Sequence, residues 1–436
     1  MKKILIGGAG HGGLTAAINL VKAGYDVTVL EERPKENLGH DWHDSLNLDV
    51  FEISGIPKPH ENMYDMGQSK GFRNPSVTKC IEFPKNQSTI FMDRKVLISY
   101  LVEHGEKAGV KFLFNHKIIS PIVHNATVKG LIVSCDNEKF RLIADLVIDS
   151  AGIYSPIRSN LPTVCNVERH FENEKVFHTF RAYYKNKTGE TTDPSYIVSL
   201  FHLSRPGIDW TIMNKSYVDI LIGKFSTAGK LTEKEVEETL NAFRKEYPFI
   251  DETLSRGGTF ADIPITRMLP LIICDGYAAV GDSAGMTSPL YGSGIVLSMA
   301  AGKLLADTFI SSGGDCSKAG LWHYEYEYFS KWGKNYIVSD ILKNLATNMK
   351  SEYVDFILEN SFFTDDIPNL TKHGDTRVTI KQLKKIFPII IRARKVAPAL
   401  LKSFKLLPLL PVIRNSIPEK YNENKVNAWA KIYKAI

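Results

Sequence analysis

The chain opens with a pattern that is typical of a parallel α/β unit. Residues 2–6 form a short apolar run that suits a buried strand. A glycine-rich turn follows, and residues 12–23 are then rich in Ala and Leu and end before Gly24, as a helix with a C-terminal glycine would. Residues 27–30 indicate the next strand. We therefore predict strand, turn, helix and strand in this order.

The pattern changes further along the chain. Residues 117–142 alternate Val or Ile with polar residues and predict a β-meander. The segment 232–247 opens with Thr-Glu-Lys-Glu and predicts a capped, charged helix. Several β-branched or aromatic runs, bounded by Gly, Pro and Asn, predict an antiparallel sheet with one face over a ligand: 177–184, 196–203, 210–213 and 217–225. Residues 295–309 and the region after about 318 are expected to be helical.

The first glycine-rich turn has the spacing of a dinucleotide-binding site. Gly8, Gly10 and Gly13 fit G-x-G-x-x-G, in which the glycines allow a tight turn, approach of the pyrophosphate and close helix packing. Glu31 ends the second strand at the spacing expected of a carboxylate that binds a ribose hydroxyl. The residues predicted to hold the cofactor here are Gly8, Gly10, His11, Gly12, Gly13, Glu31, Glu32 and Arg33.

A second glycine-rich segment follows a predicted strand at residues 277–280. Asp282 at the end of this strand suits a hydrogen bond from a sugar-chain hydroxyl, although the same pattern is also that of an ordinary strand-turn-helix with Asp282 as a cap. FAD is long enough to need one site for its pyrophosphate and adenosine and another for its ribityl chain and ring. The two segments therefore predict FAD, held in the second segment by Gly281, Asp282, Pro289, Gly292, Gly294 and Ile295.

Four segments in this order resemble those of FAD-dependent oxidoreductases. They lie at residues 4–14, 92–97, 145–158 and 281–295. The series resembles more narrowly the geranylgeranyl reductase-like branch, which is related to hydroxylases of the p-hydroxybenzoate hydroxylase type. The resemblance implies the FAD-binding fold of that group and further flavin contacts at Arg94, Ala151 and Gly152.

The sequence departs from the related patterns at three places. Ala151 stands where the hydroxylases carry an Asp that helps to handle the nicotinamide cofactor, which counts against a hydroxylase. Archaeal lipid reductases often carry a Cys after the second strand, but residues 38–44 contain none. Residues 208–212 are only loosely similar to the reductases' Y-x-W-x-F-P stretch.

The loop at residues 40–44, His-Asp-Trp-His-Asp, is the strongest candidate for residues beside the flavin ring. His43 is predicted to deliver a proton, and Asp41 or Asp44 is predicted to orient the His43 ring. Trp42 is also predicted to be a catalytic residue. An ordinary polar loop is the alternative, and a metal is not expected because His40 and His43 have no third ligand nearby. The side chains of His178, Tyr183 and His202 fall in the predicted sheet, either in the pocket or within its walls.

The expected reaction follows from the resemblance. Reduced flavin would add hydride to a C=C bond of an isoprenoid or lipid-like substrate, and a side chain or water would supply the proton. One rival is a flavin monooxygenase that uses NAD(P)H and oxygen; another is a flavin-binding or membrane-recruited protein without catalysis. One dinucleotide unit is apparent, so electrons are expected from transiently bound NAD(P)H or from a ferredoxin.

The charge is unevenly distributed. The net charge is +6, yet residues 381–436 hold 13 Lys or Arg and two acids. These basic residues alternate with apolar stretches at 387–391, 396–401 and 404–413, which indicates either a membrane-surface anchor or a basic helical cap on the protein. Nucleic acid is not an expected partner, because there is no aromatic-rich basic sheet or reading helix.

The remaining composition predicts a cytoplasmic protein, with peripheral contact to the inner face of the membrane if the tail is an anchor. Five scattered cysteines indicate neither a metal site nor a disulfide framework. No signal peptide or spanning segment is expected.

We predict a mixed α/β and α+β fold with three parts. A Rossmann-like FAD-binding domain comprises residues 1–162 and 270–315. An antiparallel-sheet substrate domain is inserted at 163–269, and a C-terminal helical region with a basic amphipathic tail spans 316–436.

Overall fold

The computed structural model describes residues 1–83, 88–171, 176–289, 292–359 and 410–435. The strands are β1 Lys3–Gly7, β2 Asp26–Leu30, β3 His43–Asn47, β4 Asp65–Met66, β5 Lys70–Arg73, β6 Cys80–Phe83, β7 Thr89–Asp93, β8 Lys111–Leu113, β9 Lys117–His124, β10 Thr127–Cys135, β11 Glu138–Ile143, β12 Leu146–Asp149, β13 Val176–Asn186, β14 Tyr196–Leu200, β15 Ile208–Met213, β16 Tyr217–Phe225, β17 Ile250–Pro264, β18 Ile273–Cys274 and β19 Tyr277–Ala279.

The helices are α1 His11–Lys22, α2 Val50–Ile53, α3 Arg94–Ala108, α4 Pro156–Ser159, α5 Glu233–Glu246, α6 Ile295–Ser311, α7 Lys318–Tyr328, α8 Lys334–Thr347, α9 Ser351–Glu359, α10 Leu410–Ser416 and α11 Glu423–Lys434. A π-helical turn, Phe329–Gly333, joins α7 to α8.

A six-stranded sheet carries both glycine-rich segments. Its strand order is β18-β19-β12-β1-β2-β8, parallel except between β18 and β19. The strands β1, β12 and β19 are neighbours, so their carboxyl ends bring the turns after Gly7, Asp149 and Ala279 to one edge of the sheet. This arrangement agrees with the predicted parallel α/β unit, and the predicted mixed α/β fold is confirmed.

Two helices cross closely above this edge. A Cβ atom on Gly302 of α6 would lie 2.1 Å from the carbonyl oxygen of Gly12 in α1, so α6 needs glycine there to approach α1. The crossing brings the N-terminal ends of α1 and α6 to the same side of the sheet, where the glycine-rich turns also lie.

A seven-stranded sheet forms the second layer, in the order β17-β13-β16-β15-β14-β5-β6. One face packs on α5, through a cluster that includes Phe180, Ile220, Leu240 and Phe243. The helix α5 begins with the predicted capping box, in which Thr232 and Glu235 each bind the other's backbone N–H. The opposite face is turned towards the loop at 40–44.

The seven-stranded sheet does not follow the predicted division of the chain. The strands β5 and β6 lie in the segment predicted as FAD-binding, yet β5 pairs in parallel with β14. The structure therefore gives part of residues 1–162 to the sheet that was predicted from residues 163–269. The alternation of apolar and polar residues identifies a strand but not the strand that pairs with it, so this pairing could not be predicted from the local sequence.

The predicted β-meander is present as β9, β10 and β11, which form a three-stranded antiparallel sheet. In a further small sheet, β3-β7-β4, His43 pairs with Asp93. This pairing fixes the position of the loop that precedes His43.

The described part of the C-terminal tail packs on the protein. In α11, the buried residues Val426, Trp429, Ala430 and Tyr433 join the main hydrophobic core, and Trp429 contacts Phe329 edge to face. Of the tail's apolar stretches, 387–391 and 396–401 and most of 404–413 lie outside the described residues. Among the described residues, no helix combines the length and the apolar composition needed to cross a bilayer.

Candidate active site

The turn after β1 is built around glycine. Gly8 has φ +92°, and a Cβ there would lie 2.5 Å from the carbonyl oxygen of Ser150. The same serine accepts a hydrogen bond from the Gly13 backbone through its Oγ at 3.2 Å. The backbone is thus compact, with the first turn of α1 close behind it, which is the arrangement that a pyrophosphate requires.

Glu31 lies at the end of β2, beside this turn. Its Oε2 accepts a hydrogen bond from the Ala9 backbone at 3.0 Å, and its Oε1 accepts one from the Arg33 backbone at 3.1 Å. The structure therefore places Glu31 next to the glycine turn, whereas Glu32 and Arg33 are exposed on the following loop. Their roles in binding stay predictions.

The second segment faces the same cleft. Asp282 is exposed at the end of the strand, and its Oδ1 accepts a hydrogen bond from Thr287 Oγ1 at 2.6 Å. Gly294 is the N-cap of α6 and Ile295 is its first residue. Pro289 is buried and Gly292 has a positive φ of 62°.

Asp149 is a residue whose role the sequence reasoning missed. It is fully buried, and it accepts hydrogen bonds from Ser283 Oγ at 2.9 Å, Tyr277 OH at 3.0 Å and the Ala151 backbone at 3.1 Å. Gly152 donates its backbone N–H to the same Ser283 at 2.8 Å. This network joins the end of β12 to the second glycine-rich segment. An aspartate at the end of an apolar strand was the available signal.

Two buried ring nitrogens in the cleft have no hydrogen-bond partner among the described residues: Nε2 of His11 and Nε1 of Trp42. Burial and the nearby Arg94 lower the pKa of His11 to about 4, so its ring is neutral at pH 7. Buried polar atoms are normally satisfied, and these two therefore indicate a bound polar group. Together with the glycine turn, they fit FAD.

Arg94, predicted to lie near the flavin, is held by Asp44. Its Nε and Nη2 each donate to one carboxylate oxygen of Asp44 at 2.6 Å. Burial opposes ionisation of Asp44, but the charge and hydrogen bonds of Arg94 outweigh it and lower the pKa of the carboxyl. Asp44 therefore offsets much of the positive charge that Arg94 would present to a flavin, and it orients Arg94 rather than His43.

His43 lies where the loop meets the seven-stranded sheet. Its backbone N–H donates to Tyr183 OH at 2.7 Å, and its Nδ1 is 3.2 Å from Tyr217 OH. Its Nε2 is 3.7 Å from Asp93 Oδ2. Burial, and then the charge of Arg256, lower the pKa of His43, so its neutral form dominates at pH 7.

Asp41 does not contact His43 in the structure. Its Oδ1 lies 3.3 Å from Arg256 Nη1, and Arg256 also pairs with Asp93. The carboxylate next to His43 is thus Asp93, the N-cap of α3, which no loop pattern would single out.

The ring of Trp42 lies near two arginines. The guanidinium carbon of Arg94 is 5.1 Å from its ring centre and that of Arg181 is 5.7 Å away. Arg181 is buried in the face of the seven-stranded sheet and forms a bidentate pair with Asp219, at 2.8 and 2.5 Å. The sheet therefore covers the loop through Arg181 and Trp42.

The three side chains left undetermined within the predicted sheet are now placed. Tyr183 faces the loop. His178 pairs with Asp262 at 2.6 Å on the neighbouring strand β17. His202 pairs with Asp209 at 2.9 Å and stacks on Phe243 of α5, away from the cleft.

The fold and the cleft are similar to those of FAD-dependent oxidoreductases. Residues 1–206 match the model of the FAD binding domain family. Over 86% of its length the chain is 20% identical to the digeranylgeranylglycerophospholipid reductase of Sulfolobus acidocaldarius, of which it covers 84%. It is 24% identical to the enzyme of the same name from Methanosarcina acetivorans, over 82% of the chain and 88% of the relative.

A solved structure shares the fold. The geranylgeranyl bacteriochlorophyll reductase-like protein of Thermoplasma acidophilum superposes with a TM-score of 0.73 and 17% identity, covering 91% of this chain and 99% of that one. The resemblance to geranylgeranyl reductase-like flavoproteins, predicted from the four segments, is confirmed.

Proposed function

We propose that this enzyme reduces C=C bonds in the isoprenoid chains of a lipid. The similarity to digeranylgeranylglycerophospholipid reductases over most of the chain carries this proposal. It is supported by the aromatic side chains of Tyr183, Tyr217 and Trp210 on the sheet face beside the loop at 40–44. An apolar chain would lie there with its double bonds near the flavin.

The residues that would hold FAD are those of the cleft. The turn at Gly8 and the first turn of α1 suit the pyrophosphate, Glu31 suits a ribose hydroxyl, and Asp282 suits the ribityl chain. FAD supplies the hydride when it is bound and reduced. The protein contributes apolar positioning of the substrate and a proton for the second carbon.

We propose His43 as the group that delivers the proton. Because its imidazole is neutral, the ring would give up one proton and take up another at the same time, and it would not start from the protonated form. In the tautomer in which Nδ1 accepts from Tyr217, Nε2 carries the proton, and this proton would pass to the substrate carbon. The Tyr217 hydroxyl would give its proton to Nδ1 and would recover one from water, and Asp93, 3.7 Å from Nε2, would hold the ring in place. Trp42, which has the guanidinium groups of Arg94 and Arg181 near its ring, would shield this position from water. Asp41 would act on the site through its contact with Arg256.

Anaerobic reoxidation tests the proposal. Purified holoprotein is reduced chemically and mixed either with a digeranylgeranylglycerol phospholipid or with oxygen. We expect the lipid to reoxidise the flavin and to gain hydrogen, as measured by mass spectrometry. A flavin C4a adduct with oxygen and an inert lipid would replace the proposal with the monooxygenase.

The electron donor and the location are part of this proposal. We propose that NAD(P)H, bound transiently, or a ferredoxin reduces the flavin, and that the enzyme works in the cytoplasm near the membrane that holds its substrate. Stopped-flow reduction by NADH, NADPH or reduced ferredoxin identifies the donor.

A further inference from the structure

One row of side chains crosses the sheet face that looks onto the loop at 40–44. Tyr183, Asp219, Ile212, Tyr196 and Lys70 lie directly opposite one another on five adjacent strands. Residues that pair across a ladder point to the same face. Lys70 is therefore on the face that holds Tyr183, at the other end of the row.

The ends of the row are far apart. Four strand spacings separate β13 from β5, which is about 19 Å. This is similar to the hydrocarbon thickness of one lipid leaflet, about 15 Å. The side chains between the ends are mostly apolar or aromatic, and Trp210 packs against Tyr196 with ring centres 6.1 Å apart.

Lys70 is a half-buried cation with aromatic neighbours. Its Nζ lies 4.5 Å from the ring centre of Tyr196 and 4.9 Å from that of Phe72. Within the described part of the chain it has no hydrogen bond or ion pair, and the carboxylate of Asp219 in the same row is bound by Arg181. Burial lowers the pKa of Lys70 to about 8, so it is mostly protonated at pH 7.

A buried charge without a counter-ion is costly, and the two rings compensate only part of that cost. An oxyanion would supply the missing partner. Unlike the arginines near the flavin, which are each bound to a carboxylate, Lys70 keeps its charge free for a ligand.

We propose that Lys70 binds the anionic head group of the lipid substrate, at the end of the sheet face remote from the flavin. This inference rests on the proposed function and adds the direction in which the substrate lies. The head group sits at β5, and the isoprenoid chain runs over Tyr196 and Trp210 towards His43. Lys70 thereby positions the double bonds.

Calorimetric binding of saturated probes tests this assignment without turnover. Phytanyl phosphate carries the oxyanion and phytanol does not, and neither has a C=C bond to reduce. The proteins compared are the wild type, Lys70→Gln, Lys70→Arg and the exposed control Lys139→Gln on β11.

We expect Lys70→Gln to bind phytanyl phosphate about tenfold more weakly, with Lys70→Arg within about threefold of the wild type and Lys139→Gln unchanged. Phytanol should bind all four proteins alike, because it lacks the charge. Equal binding of phytanyl phosphate by the wild type and Lys70→Gln would overturn the proposal.

Inorganic phosphate tests whether Lys70 binds the phosphate of a lipid head group or a free phosphate ion. It should bind the wild type far more weakly than phytanyl phosphate does, because it lacks the apolar chain. Equal affinity would mean a site for the free anion and would overturn the head-group assignment. If the protein bound the saturated lipid through Lys70 but did not reduce the unsaturated lipid, the proposed function would be wrong and the proposed site at Lys70 would stand.

Discussion

The backbone at Gly8 leaves no room for a side chain in the first glycine turn. Gly8→Ala places a Cβ 2.5 Å from the Ser150 carbonyl and strains a residue at φ +92°. We expect the purified variant to lose most of its FAD, measured as the flavin-to-protein absorbance ratio.

Gly24→Ala is the matched control. Gly24 has a similar φ of +88°, but no atom lies within 4 Å of the added Cβ. This variant should lose about 1–2 kcal/mol of stability and keep its FAD. If both variants bound FAD equally, the turn would not hold the pyrophosphate.

A second prediction at this scale concerns the proton. His43→Gln should lower kcat for lipid reduction by about 10²-fold or more, because general-acid groups contribute that much. Reduction of the flavin and binding of a saturated lipid should be unchanged. His178→Gln, whose ring pairs with Asp262, should leave kcat unchanged. Full activity of His43→Gln would assign the proton to another group.

The sequence showed some residues of the site and concealed others for a physical reason. Glycines and strand-end acids such as Gly8 and Asp282 are determined locally, so their spacing is readable. The partners of His43 come from β7, β13 and β16, which the fold brings together from distant parts of the chain. No pattern within one segment predicts such contacts.

Elements were predicted well where the signal was local. The capping box of α5 and the alternation in β9 to β11 placed those elements close to their observed bounds. The pairing of β5 with β14 was not predictable, because the alternation of apolar and polar residues in a strand does not depend on which strand lies beside it.

The helix α7 contains a carboxyl group that should make stability depend on pH. Glu325 is fully buried and accepts hydrogen bonds from the Leu271 and Ile272 backbones, at 2.7 and 3.1 Å. Burial raises its pKa to about 8, above the ordinary value of 4.5. Because the folded state holds this proton more tightly, the resulting stability is complete below pH 4.5 and is lost as pH rises to about 8.

Glu325→Gln keeps one oxygen that can accept a backbone N–H and removes the titration. We expect the free energy of unfolding of the wild type, relative to Glu325→Gln, to fall by several kcal/mol between pH 5 and pH 8. Urea titrations at both values measure the difference. Parallel pH profiles for the two proteins would mean that Glu325 does not titrate in this range.

At the scale of the whole molecule, the described part of the tail is structural. Trp322 Nε1 donates to the Pro418 carbonyl at 2.7 Å, and Tyr433 OH donates to the Met268 carbonyl at 2.8 Å. Removal of residues 423–436 should therefore unfold the protein or lower Tm sharply, as measured by calorimetry. Trp429→Ala alone should cost about 3–5 kcal/mol.

Membrane recruitment is tested without disturbing this packing. Lys425 and Lys431 are exposed on α11. If the described part of the tail contributes to membrane binding, Lys425→Gln with Lys431→Gln should reduce sedimentation with anionic vesicles, with Tm unchanged. Unchanged sedimentation would exclude these two lysines as contacts.

The docking of α11 also determines when the fold can be completed. Translation delivers residues 423–434 long after Trp322 and Phe329, the aromatic side chains on which they pack. Until then a nascent chain exposes that aromatic surface, even though both glycine-rich segments have already left the ribosome. A premature stop codon in the tail should therefore yield an aggregation-prone product that chaperones bind, instead of a smaller active enzyme.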